Sequence, residues 1–210
     1  MIEITEAMLE DLRGRIAQKM SPKRLCHTLA VEDMAARLCE LFCPQETIKM
    51  RAAALLHDIT KELDARAQIN LCNRFGLPVG RADCLSPKTF HARTAAAMIE
   101  REYPAFADPT VVDAVRWHTT GRVCMTLTEQ ILYLADYIDM SRTFHSCVVL
   151  RRYFWGAKPE AMDAESRLRL LRETLAFSFD LTIRDLLDDG ALIAKETIEA
   201  RNELKVLLAE

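Results

Sequence analysis

The chain has 210 residues, half of them apolar and 28% charged, with a formal net charge of -3; that length holds a full core and suits one domain over residues 1–210. The slightly acidic balance argues against a nucleic-acid polymer or an anionic membrane as the main partner, because both recruit strongly basic surfaces. No apolar run reaches the ~18 residues of a membrane span, and the opening stretch lacks the zones of a signal peptide, so a cytoplasmic protein is expected.

Glycine is scarce, proline is dispersed, and apolar residues recur at spacings of three and four, so the fold is expected to be all-α. Residues 2 to 20 place Ile4, Met8, Leu12 and Ile16 on one stripe of a first helix. Ser21-Pro22 supplies an N-cap and a first-turn proline for a second helix reaching about Phe42. A third runs from about Gln45 through Ala52, Ala53 and Ala54 to His57-Asp58, its small side chains permitting close packing. Gly76-Leu77-Pro78 breaks the chain, and an irregular stretch to Lys88 precedes a helix carrying His91. Further helices are expected at 109 to 118, 127 to 139, 142 to 154, 163 to 188 and 195 to 208. Thr126 and Glu129 have the spacing of a capping box at the start of the segment leading to Asp136. The core then falls at about 20–140, with C-terminal helices at about 142–208.

Seven cysteines form no Cys-x-x-Cys pair, and their odd number favours reduced core thiols. Cys39 and Cys43 have the spacing of half a zinc site, but no second cysteine pair completes it.

The adjacent pair His57-Asp58 is a weak signal alone. With five histidines and fourteen aspartates, chance supplies about one third of such a dipeptide. His27, His91 and His118 each lie in or beside an expected helix, and Asp136 interrupts the apolar segment from Ile131 to Ile138. A carboxylate there is costly to bury without a metal or an arginine partner. Four histidines and two carboxylates make a dinuclear site conceivable, and mixed nitrogen and oxygen donors suit first-row transition ions better than magnesium or calcium. Two adjacent ions activate water and stabilise both oxygens of a phosphoryl transfer.

The order histidine, His-Asp, late aspartate, here His27, His57-Asp58 and Asp136, resembles the HD-domain phosphohydrolase superfamily. The strings His27-Thr28-Leu29, Ala54 to Lys61, Trp117 to Arg122, Tyr133 to Ile138 and Thr197 to Asn202 resemble its YqeK-type branch of symmetrical bis(5'-nucleosyl)-tetraphosphatases. The likeness spans roughly residues 20 to 205 and implies an HD-domain helical bundle with a dinuclear metal site. It also implies two divalent or mixed-valence metal ions, iron foremost, and cleavage of diadenosine tetraphosphate to two ADP.

Carried over by position, His27, His57, Asp58 and Asp136 hold one metal, and Asp58 bridges to a second held by His91 and His118. Asp58 and Lys61 are the catalytic candidates, Lys61 facing the phosphates; Thr119, Thr120 and Gly121 line the site, with Arg122 or Arg142 pairing phosphate oxygens. Where the branch has a proline-glycine-arginine turn after the Tyr-Ile segment, this chain has Asp139-Met140-Ser141-Arg142, which keeps the arginine but not the turn. The aromatic stretch from Phe144 to Trp155 can close the pocket, pack in the core or form a homodimer contact, and core packing is expected. His145 is left out of the metal site. Two other readings stay open: HD chemistry on a monophosphate, cyclic nucleotide or guanosine alarmone, and a non-catalytic nucleotide-binding regulatory module.

Overall fold

Regular structure in the computed structural model, which describes residues 3–86 and 89–210, consists of helices, with no strand among those residues. α1 (Glu6–Ala17) is capped by Thr5, and α2 (Pro22–Phe42) by Ser21, whose hydroxyl accepts from the Arg24 amide. α3 spans Thr47–Leu56, α4 Ala65–Phe75, α5 Arg81–Leu85 and α6 Phe90–Glu102. α7 (Pro109–Trp117), α8 (Leu127–Ile138), α9 (His145–Gly156), α10 (Ala164–Asp188) and α11 (Lys195–Ala209) complete the order.

The capping box at Thr126 is formed in both directions. Thr126 accepts from the Glu129 amide, and Glu129 accepts from the Thr126 amide at 2.7 Å. α1 is shorter than the 2 to 20 expected, because Thr5 starts it and the chain turns at residues 18–20. Two elements were not expected. α4 lies between an Asp64 cap and Gly76, whose φ of +69 is the left-handed turn that ends helices readily at glycine. α5 interrupts the stretch expected to be irregular, where the Gly80 amide donates to Asp83 at 2.7 Å; residues 87–88, its expected end, lie outside the described residues.

α2 packs on α3 and α8, α3 on α7, and α6 on α4 and α7, while α9 and α10 pack against the far side of α8 and α11 against α10. Ala52, Ala53 and Ala54 are fully buried, so the backbone of α3 approaches its neighbours closely. Leu38, Leu55, Leu132, Phe154 and Phe179 belong to one apolar cluster running from the first helix to the last. Burying each large apolar side chain contributes about 1.5–3 kcal/mol.

Glu32, buried in α2, receives Arg13 from α1 and Arg51 from α3, which compensates its desolvation. The thiols divide: Cys39, Cys43, Cys72 and Cys147 are buried, but Cys26, Cys84 and Cys124 are exposed rather than core. All seven are free.

Candidate metal centre

α3 ends at Leu56 rather than running through Asp58, because the His57 ring turns back on it. Its Nδ1–H donates to the Ala54 carbonyl at 2.6 Å, and residues 57–63 continue as tight turns, with the Lys61 amide donating to the Asp58 carbonyl at 3.0 Å. His118, at the end of α7, does the same, donating from Nδ1 to the Val115 carbonyl at 2.7 Å. Both rings are thereby oriented with Nε2 facing the centre, the nitrogen that a neutral imidazole held in this way offers to a metal.

α2 brings His27, α6 brings His91 and α8 brings Asp136 to the same point. Asp58, 3% exposed, stands between two groups of donors. Its Oδ2 lies 3.3 Å from His57 Nε2 and 3.7 Å from His27 Nε2, and Asp136 Oδ1 lies 3.0 Å from His27 Nε2 and 3.7 Å from His57 Nε2. Its Oδ1 lies 3.3 Å from His91 Nε2 and 3.8 Å from His118 Nε2, and those two nitrogens are 3.1 Å apart. The six sequence candidates therefore converge, with one carboxylate oxygen turned toward each histidine group.

A buried ring nitrogen ordinarily finds a hydrogen bond. The Nε2 atoms of His27 and His57 are buried without one. Two overlapping donor groups, His27 with His57 and Asp136, and His57 with Asp58 and His118, each have their ligand atoms within 4.8 Å of one another. Orphaned imidazole nitrogens gathered around carboxylate oxygens fit divalent metal ions of the first row.

The protonation pattern expresses the same concentration of charge. Burial opposes it, yet Asp58 and Asp136 raise His57 to about 10. Burial, reinforced by the His57 charge, lowers His118 to about 4. Against desolvation, His57 holds Asp58 well below the usual carboxylate range, and Arg142 with His27 and His57 does so for Asp136.

Three neighbours were not picked out in the sequence. Arg24, one turn before His27 on α2, pairs with Asp58 Oδ2. Asp139, fully buried, lies 3.4 Å from His27 Nδ1, where Ser141 Oγ also approaches at 3.2 Å. Thr60, also fully buried, donates to the His91 carbonyl at 3.0 Å and ties the turn after His57 to α6. The available signals were helical offsets: Arg24 is three before a histidine and Asp139 three after an aspartate.

A turn does form at 139–142 without proline or glycine. Asp139 Oδ1 accepts from the Ser141 amide at 2.8 Å, and Arg151 donates to the carbonyls of Ile138, Asp139 and Arg142. Arg142 accordingly reaches Asp136 and lies 3.4 Å from Asp139 Oδ2.

A cavity of about 380 Å³ opens over the centre, lined by Lys61, His91, His118, Thr119, Thr120, Asp136 and Arg142 among others. Lys61 Nζ sits 3.1 Å from His91 Nε2, and Thr119 Oγ1 3.3 Å from the same atom. Gly121 and Arg122 are not in its lining. Gly121 turns the chain at a φ of +65 against Phe179 and Ala200. Arg122 is held by buried Glu129, its Nη2 2.9 Å from Oε1, and faces away from the centre. His145 is exposed.

The HD domain family model matches residues 24–141, more than half of the chain and every one of the six converging residues. The chain belongs to the HD-domain family. A Bacillus subtilis (strain 168) protein named symmetrical bis(5'-nucleosyl)-tetraphosphatase is 33% identical over 135 residues, 64% of this chain and 71% of its own length. A Staphylococcus aureus protein of the same name is 34% identical over 137 residues, 64% of this chain and 68% of its own. A crystal structure from Clostridium acetobutylicum, of a predicted HD superfamily hydrolase involved in NAD metabolism, matches with a TM-score of 0.80 and 32% identity over 94% of this chain and 97% of that one.

The HD-domain match stops at the 139–142 turn. Residues beyond it complete the cavity: Thr182 and Leu186 from α10, Leu192 from the following loop, and Thr197 from α11. Thr197 donates to the Thr120 carbonyl at 3.0 Å, which couples α11 to the loop after His118. The aromatic stretch divides: Leu150 and Phe154 pack in the core as expected, but Phe144 is exposed. Among the described residues no helix is long and apolar enough to cross a membrane.

Proposed function

We propose that this protein is a metal-dependent hydrolase that cleaves a dinucleoside tetraphosphate, diadenosine tetraphosphate foremost, at its centre to give two nucleoside diphosphates. The observation carrying the reading is the division of Asp58 between two histidine groups, next to a cavity whose walls include His91, His118, Asp136, Lys61 and Arg142. Support for the substrate comes from relatives whose names carry this activity.

In this reading His27, His57, Asp58 and Asp136 would hold one ion, and Asp58, His91 and His118 would hold the second. The donor set suits first-row metals, and iron is inferred from the family resemblance. When bound, such ions supply Lewis acidity toward phosphoryl oxygens and a lowered water pKa. Lys61 and Arg142 offset the negative charge of the phosphates, with Arg142 poised by its contacts to Asp136 and Asp139. Thr119 and Thr120 border the phosphate path beside His118. Asp139 and Ser141 orient the His27 ring from its far side, the supporting role that carboxylates often play for ligating histidines.

Chromatography of the products of diadenosine tetraphosphate tests the reading. ADP alone supports it; AMP with ATP, or inorganic phosphate, indicates a different cleavage. Metal uptake without hydrolysis of any nucleotide indicates a binding module.

A further inference from the structure

A symmetrical substrate carries two nucleosides, so a cleavage site at the middle of the polyphosphate needs room for a base and ribose on both sides. A second cavity of about 280 Å³ adjoins the central one, and the two share Tyr137, Arg142, Thr182 and Leu186 in their walls. The second contains no metal-centre residue. Its remaining lining includes Phe144, Ser146, Asp185 and Asp189.

Phe144 is 70% exposed, the highest exposure among the large apolar side chains described. It directly precedes α9, while Leu150 and Phe154 of the same segment are buried. Packing therefore explains the segment but not this ring. An exposed aromatic face beside an arginine suits a base, since every nucleobase offers a π-surface and the guanidinium can take the adjoining phosphate. The carboxylates of Asp185 and Asp189 repel phosphate and accept from ribose hydroxyls or an exocyclic amine, which orients the base end into this chamber.

We propose that the side chamber is a nucleoside subsite in which Phe144 stacks on one base of the dinucleoside tetraphosphate while Arg142 carries the chain of phosphates between the two cavities. The inference rests on the tetraphosphatase reading and adds a residue that determines affinity for the base rather than for phosphate.

The test compares the metal-loaded wild type with Phe144→Ala and Phe144→Trp, measuring KM for diadenosine tetraphosphate and the competition constant of inorganic tripolyphosphate, which has no base. Loss of one stacked base predicts a KM higher by roughly 5- to 100-fold in Phe144→Ala. The tripolyphosphate constant should move far less, Phe144→Trp should recover the KM, and the thermal midpoint should stay in place. Equal weakening of both ligands, or of neither, overturns the subsite. So does a fall in sedimentation mass on Phe144→Ala, which would identify the ring as a contact between copies of the chain. A wild type that does not cleave the dinucleotide symmetrically sinks the functional reading itself, whereas symmetrical cleavage with a silent Phe144→Ala sinks the subsite alone.

Discussion

Replacing Gly121 by alanine tests how the loop after His118 is held. The backbone there has a φ of +65, and an added Cβ would meet Phe179 Cζ at 2.6 Å, Phe179 Cε1 at 3.1 Å and Ala200 Cβ at 3.2 Å. The left-handed conformation costs a non-glycine residue about 1–2 kcal/mol, and forcing a methyl into a packed contact costs about 1–3 kcal/mol more. Phe179 is fully buried and stacks on Tyr133 with ring centroids 4.6 Å apart, so it cannot swing away freely. The sum is about 2–5 kcal/mol, or roughly 4–20 °C in Tm for a chain of this size. Thermal unfolding of Gly121→Ala in the wild-type and Phe179→Leu backgrounds separates the two contributions. Leucine lacks the Cζ and Cε1 atoms, so the second background should recover most of the steric part, about 1–3 kcal/mol, and leave the backbone cost with the lesser contact to Ala200. Equal penalties in both backgrounds would refute the assignment of the strain to Phe179.

Thr60→Val keeps the shape of a fully buried side chain but leaves the His91 carbonyl without the Thr60 hydroxyl that donates to it at 3.0 Å. A loss of about 1–3 kcal/mol in chemical denaturation is expected, with an ion affinity weaker by roughly 10-fold in chelator competition; a variant as stable and as tightly loaded as wild type would count against the tether. The metal-free protein should be most stable near pH 6.5. Below that value the unfolded chain takes up a proton that His118, lowered to about 4, refuses in the fold, and at lower pH the depressed Asp58 and Asp136 lose their contribution as well. Above it, stability falls as pH rises toward the raised His57 value of about 10, because the unfolded chain has already released that proton. A Tm series on chelated protein from pH 4.5 to 9.5 checks both limbs, and a flat alkaline limb would contradict the placement of the His57 proton.

The sequence disclosed those parts of the molecule governed by local rules. Helical periodicity placed most helices, and the capping residues Ser21 and Thr126 marked two starts to the residue. The six converging residues were legible because a histidine or aspartate at those spacings, together with the family strings, leaves few structural alternatives. What stayed hidden depends on contacts between distant segments. Arg122 carries the same charge as Arg142, and only the fold reveals that buried Glu129 claims the first while the second reaches Asp136. The 139–142 turn was unexpected without proline and glycine, because Arg151 secures it from α9. Asp139 acts through the His27 ring and Thr60 through the His91 carbonyl, contacts between segments far apart in the chain.

The most direct test of the account is ion stoichiometry. Chelated protein is titrated with ferrous iron, and separately with manganese or zinc, while bound ions per chain and ADP released from diadenosine tetraphosphate are followed together. Two ions per chain are expected, with activity that appears as they bind and loss of both binding and turnover in Asp58→Asn, because one carboxylate faces both histidine groups. Full activity in rigorously metal-free protein, or undiminished two-ion binding in Asp58→Asn, would contradict it.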